Sequence, residues 1–489
     1  MGHDASYRSA GMMSATVRPA RSVKNLPGPW GVPLIGNALQ LKPHKMHIQF
    51  EAWARRYGPF YKLRIGSRRT ILVVADHKAI GALLHERPEN FGRPRRLAEI
   101  SKEMGLPSGV FCANGETWRR QRRMVIAGLD PWHVKRFYPS LKEVAMQLGD
   151  RWSQAARRRE PIDLQAELTR YCVDTMTGLA FGAQAASLRN GSHLIRQHLD
   201  QIFPMLFKRM FALLPVWRWR HSRADARMEA SVRAILATVE GLIADARERM
   251  AMQPERYQHP DNLLEAMISA ADQPNSEIDD TQVAGNVVTM LLGGDDTTAN
   301  TIAWTIELLW ENPQALHKAS DEVRRLCGDG RDMGLDDIGR LDYVEACLHE
   351  AMRLKPVAPF IGFQALHDCQ VGDIDVAAGT VIVSLTRPDA VSEEHVPKAA
   401  SFMPERWLDD AEPETDGASL RRVSMPFGGG PRICPGRYMA LLEMKTALAT
   451  LLARFDIESL AGPDGKPPRE NMALTMAPAG LFMRLAERA

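Results

Sequence analysis

Apolar residues recur at helical spacing along most of the chain, and strand-like patterns are confined to a few short stretches. The longest helical pattern runs from Asp280 to Glu311 and ends at Asn312-Pro313, since proline cannot continue a helix. Phe60–Ile65 and Thr70–Val74 flank Gly66-Ser67 and predict a β-hairpin. Further helices are predicted over His47–Tyr57, Ala79–His85, two segments between Leu141 and Phe181, residues 192–212, Ala224–Met250, Asp342–Leu354 and Tyr438–Phe455. The pattern predicts a mainly α-helical fold with small β-sheets.

The remaining segments are predicted to lack regular structure. Residues 1–24 are polar and predict a disordered leader. Residues 92–115 are rich in glycine and proline, which predicts an irregular loop. The tract Leu214–His221 breaks the preceding helix and predicts a lid loop, with contact to a membrane surface as the alternative.

Composition places this 489-residue chain among ordinary globular proteins, with 45% hydrophobic and 25% charged residues. Its 62 basic side chains are nearly cancelled by 59 acidic ones, which argues against a nucleic-acid-binding protein. Six cysteines include no CxxC pair, which excludes zinc-ribbon and thioredoxin-like sites and favours a reducing, cytoplasmic location. No apolar stretch reaches the ~18 residues of a membrane span, so no transmembrane anchor is predicted.

One of the cysteines, Cys434, lies in a loop rich in glycine and proline directly before a predicted helix. Backbone N–H groups and the dipole at the start of a helix favour a thiolate. The glycines at positions 428, 429, 430 and 436 permit tight turns and the close approach of a flat ligand. Arg432 offers a guanidinium fork for a carboxylate or a phosphate. The alternative is a buried structural cysteine in a tight turn.

The middle of the longest helix contains residues that destabilise a buried helix. It reads Gly293-Gly-Asp-Asp-Thr-Thr298, and each glycine costs roughly 1 kcal/mol relative to alanine. Acid and hydroxyl groups are also costly to bury. Such a segment indicates a functional site. The alternative is a kinked core helix with a threonine hydroxyl bonded back to its own helix.

Two further pairs of residues share one face of a helix. Trp118 and Arg122 are four residues apart, and Glu350 and Arg353 are three apart and can form an ion pair. On an exposed surface such an ion pair contributes only about 0.3–0.5 kcal/mol. Taken alone, both pairs also fit an ordinary solvated helix.

Together these motifs resemble the cytochrome P-450 family of haem-thiolate monooxygenases. The signature is Phe427-x-x-Gly430-x-Arg432-x-Cys434-x-Gly436 followed by Ala440, and the resemblance extends from about residue 26 to the C-terminus. It implies a single-domain cytochrome P-450 fold over residues 25–489, with a long central helix over the haem. The lack of a membrane anchor makes the chain similar to soluble, bacterial-type members.

The resemblance implies haem b (iron protoporphyrin IX) as the cofactor, with Cys434 as the iron ligand and Asp296 and Thr297 as the catalytic acid–alcohol pair that relays protons. The further cofactor-binding residues that it implies are Trp118, Arg122, Arg432, Phe427, Gly430, Gly436, Gly294 and Ala440. Arg432, Trp118 and Arg122 would contact a haem propionate. Gly293 and Gly294 would leave room for dioxygen and allow the helix to open locally. Glu350, Arg353 and Arg406 would hold the core beside the haem. Candidate substrate contacts are Phe203, Phe207, Leu291, Val357, Ala358 and Phe360.

Two departures from the family pattern leave the second propionate contact open. Many relatives have a basic residue where Gln364 stands, and a His-Arg-Asp stretch where this chain has Thr386-Arg-Pro-Asp389. The sequence offers no replacement for these groups.

The resemblance implies a monooxygenase that hydroxylates a lipophilic small molecule of the fatty acid, terpenoid, steroid or macrolide class, using dioxygen and two electrons. A separate ferredoxin or flavodoxin with a reductase would supply the electrons, docking on a basic patch of Arg119, Arg120, Arg123 and Lys445. A peroxide-driven peroxygenase, a haem-dependent isomerase or dehydratase, and a haem sensor or carrier are the alternatives. A monomer is expected.

Overall fold

The structure is a computed structural model that describes residues 21–66, 69–182, 191–212, 214–408, 420–462 and 464–488. Within these residues most of the chain is helical. The helices are α1 (Met46–Tyr57), α2 (His77–His85), α3 (Arg95–Glu103), α4 (Gly115–Gly128), α5 (Pro131–Arg158), α6 (Leu164–Phe181), α7 (Gly191–Phe211), α8 (Arg223–Met252), α9 (Leu263–Ala271), α10 (Asp280–Glu311), α11 (Pro313–Cys327), α12 (Leu335–Gly339), α13 (Asp342–Leu354), α14 (Leu420–Val423) and α15 (Arg437–Arg454).

The strands form small sheets at the edges of this helical body. They are β1 (Arg21–Ser22), β2 (Phe60–Ile65), β3 (Arg69–Val74), β4 (Phe91–Gly92), β5 (Ile162–Asp163), β6 (Phe360–Ala365), β7 (Cys369–Val371), β8 (Ile374–Val376), β9 (Val381–Leu385), β10 (Phe455–Ala461), β11 (Arg469–Met472), β12 (Met476–Ala479) and β13 (Phe482–Glu487). The five-stranded sheet has the order β2-β3-β9-β6-β4, and β2 and β3 form the predicted antiparallel hairpin. The mainly α-helical fold class with small sheets is confirmed.

Helix α10 runs through the centre of the molecule and has the predicted bounds. Asp279 caps its N-terminus by accepting a hydrogen bond from the backbone N–H of Gln282, whose side chain bonds back to Asp279. Asn312-Pro313 ends it, as the sequence predicts. Most of its residues are buried against α6, α8, α13 and α15. The helix is hydrophobic nearly all round because helices cover it on several sides.

Two predicted irregular segments contain regular structure. Helix α3 lies inside residues 92–115, because Leu97 and Ile100 form a buried apolar face that outweighs the flanking glycines and prolines. Strand β1 pairs with β8, so secondary structure begins before the predicted boundary at residue 25. Residues 1–20 of the predicted leader lie outside the described part of the chain. None of the described helices is long and apolar enough to cross a membrane.

Candidate active site

The loop that carries Cys434 is held tightly between α2 and the start of α15. Gly428 and Gly430 have φ angles of 71° and 63°, which favour glycine. A side chain at Gly430 would also lie 2.2 Å from the carbonyl oxygen of Leu84 in α2. The backbone N–H of Cys434 donates to the carbonyl of Phe427 (2.9 Å), and α15 begins three residues after the cysteine. The thiol is therefore fixed at a helix N-terminus, as predicted.

The surroundings of the Cys434 thiol act on its pKa in opposite directions. Burial raises the pKa of the thiol, while a hydrogen bond from the backbone of Gly436 and the cations Arg122 and Arg437 lower it. Burial is the larger effect, so the pKa stays above the usual value for cysteine. A metal cation at the sulfur would reverse this balance, because a coordinating thiol is deprotonated.

Four arginines gather beside this loop. They are Arg87, Arg93, Arg122 and Arg432. Burial, together with the charges of the other three arginines, lowers the pKa of Arg432 to about 9. Burial also lowers the pKa of Arg87 to about 9, with Arg93 and Arg122 adding to the effect. The four guanidinium groups thus repel one another in a partly dry environment.

The described partners of these arginines are neutral. Arg122 donates to the carbonyl of Ile433 (2.6 Å), and Arg87 donates to the carbonyl of Gly429 (3.0 Å). Arg432 donates to Ala113 and Asn114 and lies over the ring of Trp118, with 4.6 Å to the ring centroid; Arg93 donates to Phe111. The buried Nε atoms of Arg122 and Arg432 have no hydrogen-bond partner. Among the described residues, none of the four bonds to a carboxylate.

This cluster fits a ligand with two carboxylates. Buried charges are normally paired, and a guanidinium fork matches a carboxylate in geometry. The two propionates of haem would supply two anions beside a thiol that can bind iron. The residues present therefore fit the cofactor that the sequence implies, and both Arg122 and Arg432 are where that role requires them.

Arg87 and Arg93 are candidate contacts for the second propionate, which the sequence left open. The side chain of Gln364 is held by the backbone of Arg95 and Gly379, and Arg387 is paired with Glu51 and Glu470. Neither is available to a second propionate. Arg87 and Arg93 carried no motif, and only their place beside glycine and proline at the edge of a predicted irregular loop could have drawn attention to them.

The Gly293–Thr298 segment keeps its helical hydrogen bonds, so the predicted local opening is not seen within α10. The hydroxyl of Thr297 donates to the carbonyl of Gly293 (2.8 Å), as in the alternative interpretation of this segment. Thr297 and Asp296 are half-buried, and a Cβ added to Gly293 would meet open space. The acid–alcohol pair therefore lies beside Gly293 on the less enclosed side of the helix.

Gly294 lies on the enclosed side of α10, against α6. A Cβ on Gly294 would lie 2.7 Å from the side chain of Met176 in α6. This glycine lets α6 and α10 approach closely, and Gly293 rather than Gly294 borders the open space. The reason is helical geometry, since consecutive residues point about 100° apart.

A pair of buried acids behind Thr297 was missed by the sequence analysis. Asp295 and Glu443 are 2% and 1% exposed. Burial raises the pKa of Glu443 well above its usual value, and the charge of Asp295 adds to this effect. The available signal was a charged residue among the apolar positions of the predicted helix Tyr438–Phe455.

The predicted ion pair of α13 is fully buried and forms part of a network. Arg353 makes two bonds to the carboxylate of Glu350, at 2.7 and 2.8 Å. Arg406 and Trp407 donate to the same carboxylate, at 3.0 and 2.8 Å. Arg353 also donates to the carbonyls of Ala390 and Ala399. The three predicted residues Glu350, Arg353 and Arg406 are therefore brought together.

A cavity of about 1420 Å³ opens between the five-stranded sheet, α3 and the end of α7. Phe50, Phe211, Phe360 and Val383 line its apolar part, and Arg69, Arg95 and Arg96 also border it. Neither Cys434 nor Thr297 lines it. The lining of this cavity therefore includes neither the thiol nor the acid–alcohol pair.

The predicted substrate contacts are only partly brought together. Phe360 lines the cavity, whereas Phe207 and Leu291 are buried in apolar clusters. Val357 is half-buried and Ala358 is exposed. Phe203 belongs to α7, but its side chain lies outside the described residues.

The predicted docking patch does not form as one basic surface. Lys445 is buried and paired with Glu345 at 2.8 Å. Arg119 is paired with Glu89 and Glu116, and Arg120 with Glu277. Sequence alone could not show that carboxylates from other segments neutralise these groups.

Comparison with known proteins identifies the family of this chain. The sequence model of the family described as Cytochrome P450 matches residues 26–484. The chain is similar to the carotene epsilon-monooxygenase, chloroplastic, of Arabidopsis thaliana, with 29% identity over 93% of this chain and 83% of the relative. It is 26% identical to the steroid 17-alpha-hydroxylase/17,20 lyase of Felis catus, over 92% of this chain and 89% of the relative.

A solved structure shows the same fold. The crystal structure of the cytochrome P450DA haem domain superposes with a TM-score of 0.80, covering 97% of this chain and 98% of that chain at 23% identity. The likeness to bacterial-type members that the sequence analysis expected is not supported by the two relatives, which come from a plant and a mammal.

Proposed function

The chain belongs to the cytochrome P450 family and is a haem-dependent monooxygenase, and on that premise we propose that it hydroxylates a lipophilic small molecule at the site built around Cys434. The cofactor is haem b, bound by residues 25–489 as one domain. Electrons come from a separate ferredoxin or flavodoxin with its reductase. The protein acts as a cytoplasmic monomer.

The observation that carries this proposal is the conjunction of one thiol with four arginines that have no carboxylate among their described partners. Cys434 binds the iron through Sγ, and the arginines hold the propionates. When bound, haem supplies the activation of dioxygen and the transfer of one oxygen atom. Phe427 packs beside the thiol, and the glycines at positions 430 and 436 let the loop approach the ring.

The described residues of α10 would supply and control the protons that the reaction needs. The hydroxyl of Thr297 donates to Gly293, so its lone pairs remain able to accept a hydrogen bond from water. The neighbouring carboxyl of Asp296 would exchange protons with that water, while Thr297 Oγ1 would hold the water in place by accepting a hydrogen bond from it. The open space at Gly293 gives the small reactants room beside this pair.

The first experiment is the absorption spectrum of the dithionite-reduced protein with carbon monoxide. We expect the strongly red-shifted Soret band that thiolate ligation gives, and its complete loss in Cys434→Ser with the haem still bound. Cys369→Ser is the matched control, because Cys369 is a half-buried cysteine on strand β7 away from the loop. A band of unchanged position in Cys434→Ser would contradict the assignment of the ligand.

The proton role is tested by Thr297→Ala. We expect the fraction of electrons recovered in hydroxylated product to fall about tenfold or more, while the rate of electron use changes little. Thr301→Ala is the control, since the Thr301 hydroxyl makes the same bond to its own helix, to Thr297 at 2.8 Å. Equal product yields in the two variants would assign the threonine a structural role only.

A long or bulky apolar substrate suits the cavity between the five-stranded sheet, α3 and the end of α7. Its volume of about 1420 Å³ exceeds the range of about 300–1000 Å³ that is common for ligand pockets. Fatty acid, terpenoid, steroid and macrolide compounds all fit this description, and the similarity to a carotene monooxygenase favours an extended terpenoid. Titrations of the spin-state shift with one compound of each class would rank them.

The electron partner docks on the exposed arginines around the Cys434 loop. Arg437 starts α15 directly after the loop, Arg421 and Arg422 lie on α14, and Arg123 lies on α4; all four are exposed. This set replaces the patch that contained the buried Lys445. A partner with an acidic face would bind it, and the rate of reduction would fall with added salt.

A further inference from the structure

Two histidines and an aspartate converge on the far side of α2 from the Cys434 loop. His77 is the first residue of α2, Asp389 follows β9, and His395 lies six residues further on. Nδ1 of His77 lies 2.9 Å from Oδ2 of Asp389, and Nε2 of His395 lies 3.8 Å from Oδ1 of the same carboxylate. The two imidazole rings are 4.8 Å apart at 70° to one another.

The three side chains are arranged as metal ligands require. One ligand atom from each lies within 4.8 Å of the other two. Ligand atoms about 2.0–2.1 Å from a tetrahedral zinc ion lie about 3.3 Å apart. Shifts of about an ångström or less would therefore bring nitrogen, nitrogen and oxygen around one ion. Imidazole and carboxylate are both common zinc ligands, and histidine suits zinc better than it suits calcium or magnesium.

The carboxylate of Asp389 is already fixed in place for this role. Its Oδ2 accepts a second hydrogen bond from the backbone N–H of His77 at 2.7 Å. His77 is 6% exposed, whereas the side chains of Asp389 and His395 are 20% and 23% exposed. One side of the cluster is thus walled by protein, and the other is open to water, which can supply a fourth ligand.

We propose that His77, Asp389 and His395 bind a zinc ion, with water as the fourth ligand. The imidazole of His77 is neutral in the complex and carries its proton on Nε2, so that Nδ1 presents its lone pair to the metal. Binding is independent of haem and of the function proposed above.

The ion ties together two supports of the Cys434 loop. Helix α2 reaches from His77 to the Leu84 carbonyl, against which Gly430 packs. Ala390, next to Asp389, accepts a hydrogen bond from Arg353 in the buried Glu350 network. Zinc therefore links the helix behind the loop to the segment held by that network, and it stabilises the folded haem protein.

The test uses the purified haem protein, stripped of loosely held metal with a chelator and titrated with zinc chloride against a chromophoric zinc chelator. We expect about one zinc per chain to bind at micromolar or lower concentration. His395→Asn and Asp389→Asn should each weaken binding at least tenfold. The matched control is His317→Asn, because His317 and Asp321 form an exposed pair at 2.8 Å, and it should bind zinc like the wild type.

The same samples give two further readouts. Zinc should raise the midpoint of thermal unfolding in the wild type and in His317→Asn but not in His395→Asn. Cobalt(II) should give the intense visible bands of a tetrahedral complex in the wild-type protein. This readout does not depend on whether a variant folds. Failure of the wild type to compete for zinc, equal affinity in His395→Asn, or the weak spectrum of octahedral cobalt would each overturn the proposal.

Discussion

Arg353 lies in the buried network of α13 and Arg432 lies in the Cys434 loop, and the surroundings of the two arginines differ. Arg353 is 1% exposed, and every one of its terminal donors has a partner, including both oxygens of Glu350. Arg432 is half-buried and donates to neutral groups, and its Nε has no partner. The charge of Arg353 is balanced within the chain, whereas that of Arg432 and its three neighbours is not.

The difference separates a structural group from a binding group. A buried charge with all its bonds made holds the chain together but has nothing left for a ligand. A buried charge without a counterion is costly unless something from outside completes it. The first cluster therefore holds the chain together, and the second is the one that we propose as the cofactor site.

The largest loss of stability is expected when the Glu350 network is broken. Glu350→Ala would leave Arg353 buried without its counterion, and such a change costs about 3–5 kcal/mol. Chemical denaturation of the haem protein should show this loss in the free energy of unfolding. Because most small mutational effects are nearer 1 kcal/mol, the result would be clear even with a large error.

A variant on the same helix provides the control for this measurement. Asp342→Ala removes the exposed carboxylate at the first residue of α13. We expect its cost to stay within about 1 kcal/mol. Similar losses in both variants would mean that the buried Glu350 network contributes no more stability than an exposed carboxylate does.

Glu307 is an intermediate case between the Glu350 network and the arginines beside the Cys434 loop. It is buried in α10, and its Oε2 has no hydrogen-bond partner. Burial raises the pKa of Glu307 to about 7, Glu311 adds to the effect, and Lys355 opposes it. The Glu307 carboxyl thus lacks the complete set of hydrogen bonds that Glu350 has, and it is also not part of the proposed cofactor site.

The raised pKa of Glu307 makes stability depend on pH. The folded protein keeps the Glu307 carboxyl protonated at pH values above its usual pKa of 4.5. The free energy of unfolding should therefore fall as pH rises from about 4.5 to about 7, by up to about 3 kcal/mol. Glu307→Gln should remove this decline. The measurement is the difference in unfolding free energy between wild type and variant at pH 5 and pH 8. A difference that does not change with pH would contradict it, and Glu311→Gln, at an exposed position, should show a much smaller change.

The sequence predicted the parts of the site that consist of neighbours along the chain. The Cys434 loop, the bounds of α10 and the Glu350–Arg353 spacing all follow from local patterns, because turn chemistry, capping and helical periodicity act over a few residues. The partner of Gly294 in α6 and the burial of Lys445 do not, since both depend on packing between distant segments. Arg87 and Arg93 were missed for the same reason. They come next to Arg122 and Arg432 only when α2, α4 and the Cys434 loop meet.

Arg432→Met should change the stability of the fold least. It also tests the comparison between Arg353 and Arg432 most directly. Because no carboxylate depends on this guanidinium, the free energy of unfolding of the haem-free protein should change by no more than about 1 kcal/mol. Haem should nevertheless leave faster, by about tenfold to a hundredfold, since a charge-assisted hydrogen bond contributes about 1.5–3 kcal/mol. The rate of haem transfer to an excess of an apoprotein acceptor measures this. Arg119→Met on α4 is the control, because Arg119 already has Glu89 and Glu116 as partners. If Arg432→Met lost stability like Glu350→Ala while keeping its haem, Arg432 would belong with the structural network, and the arginines without carboxylate partners would no longer identify the cofactor site.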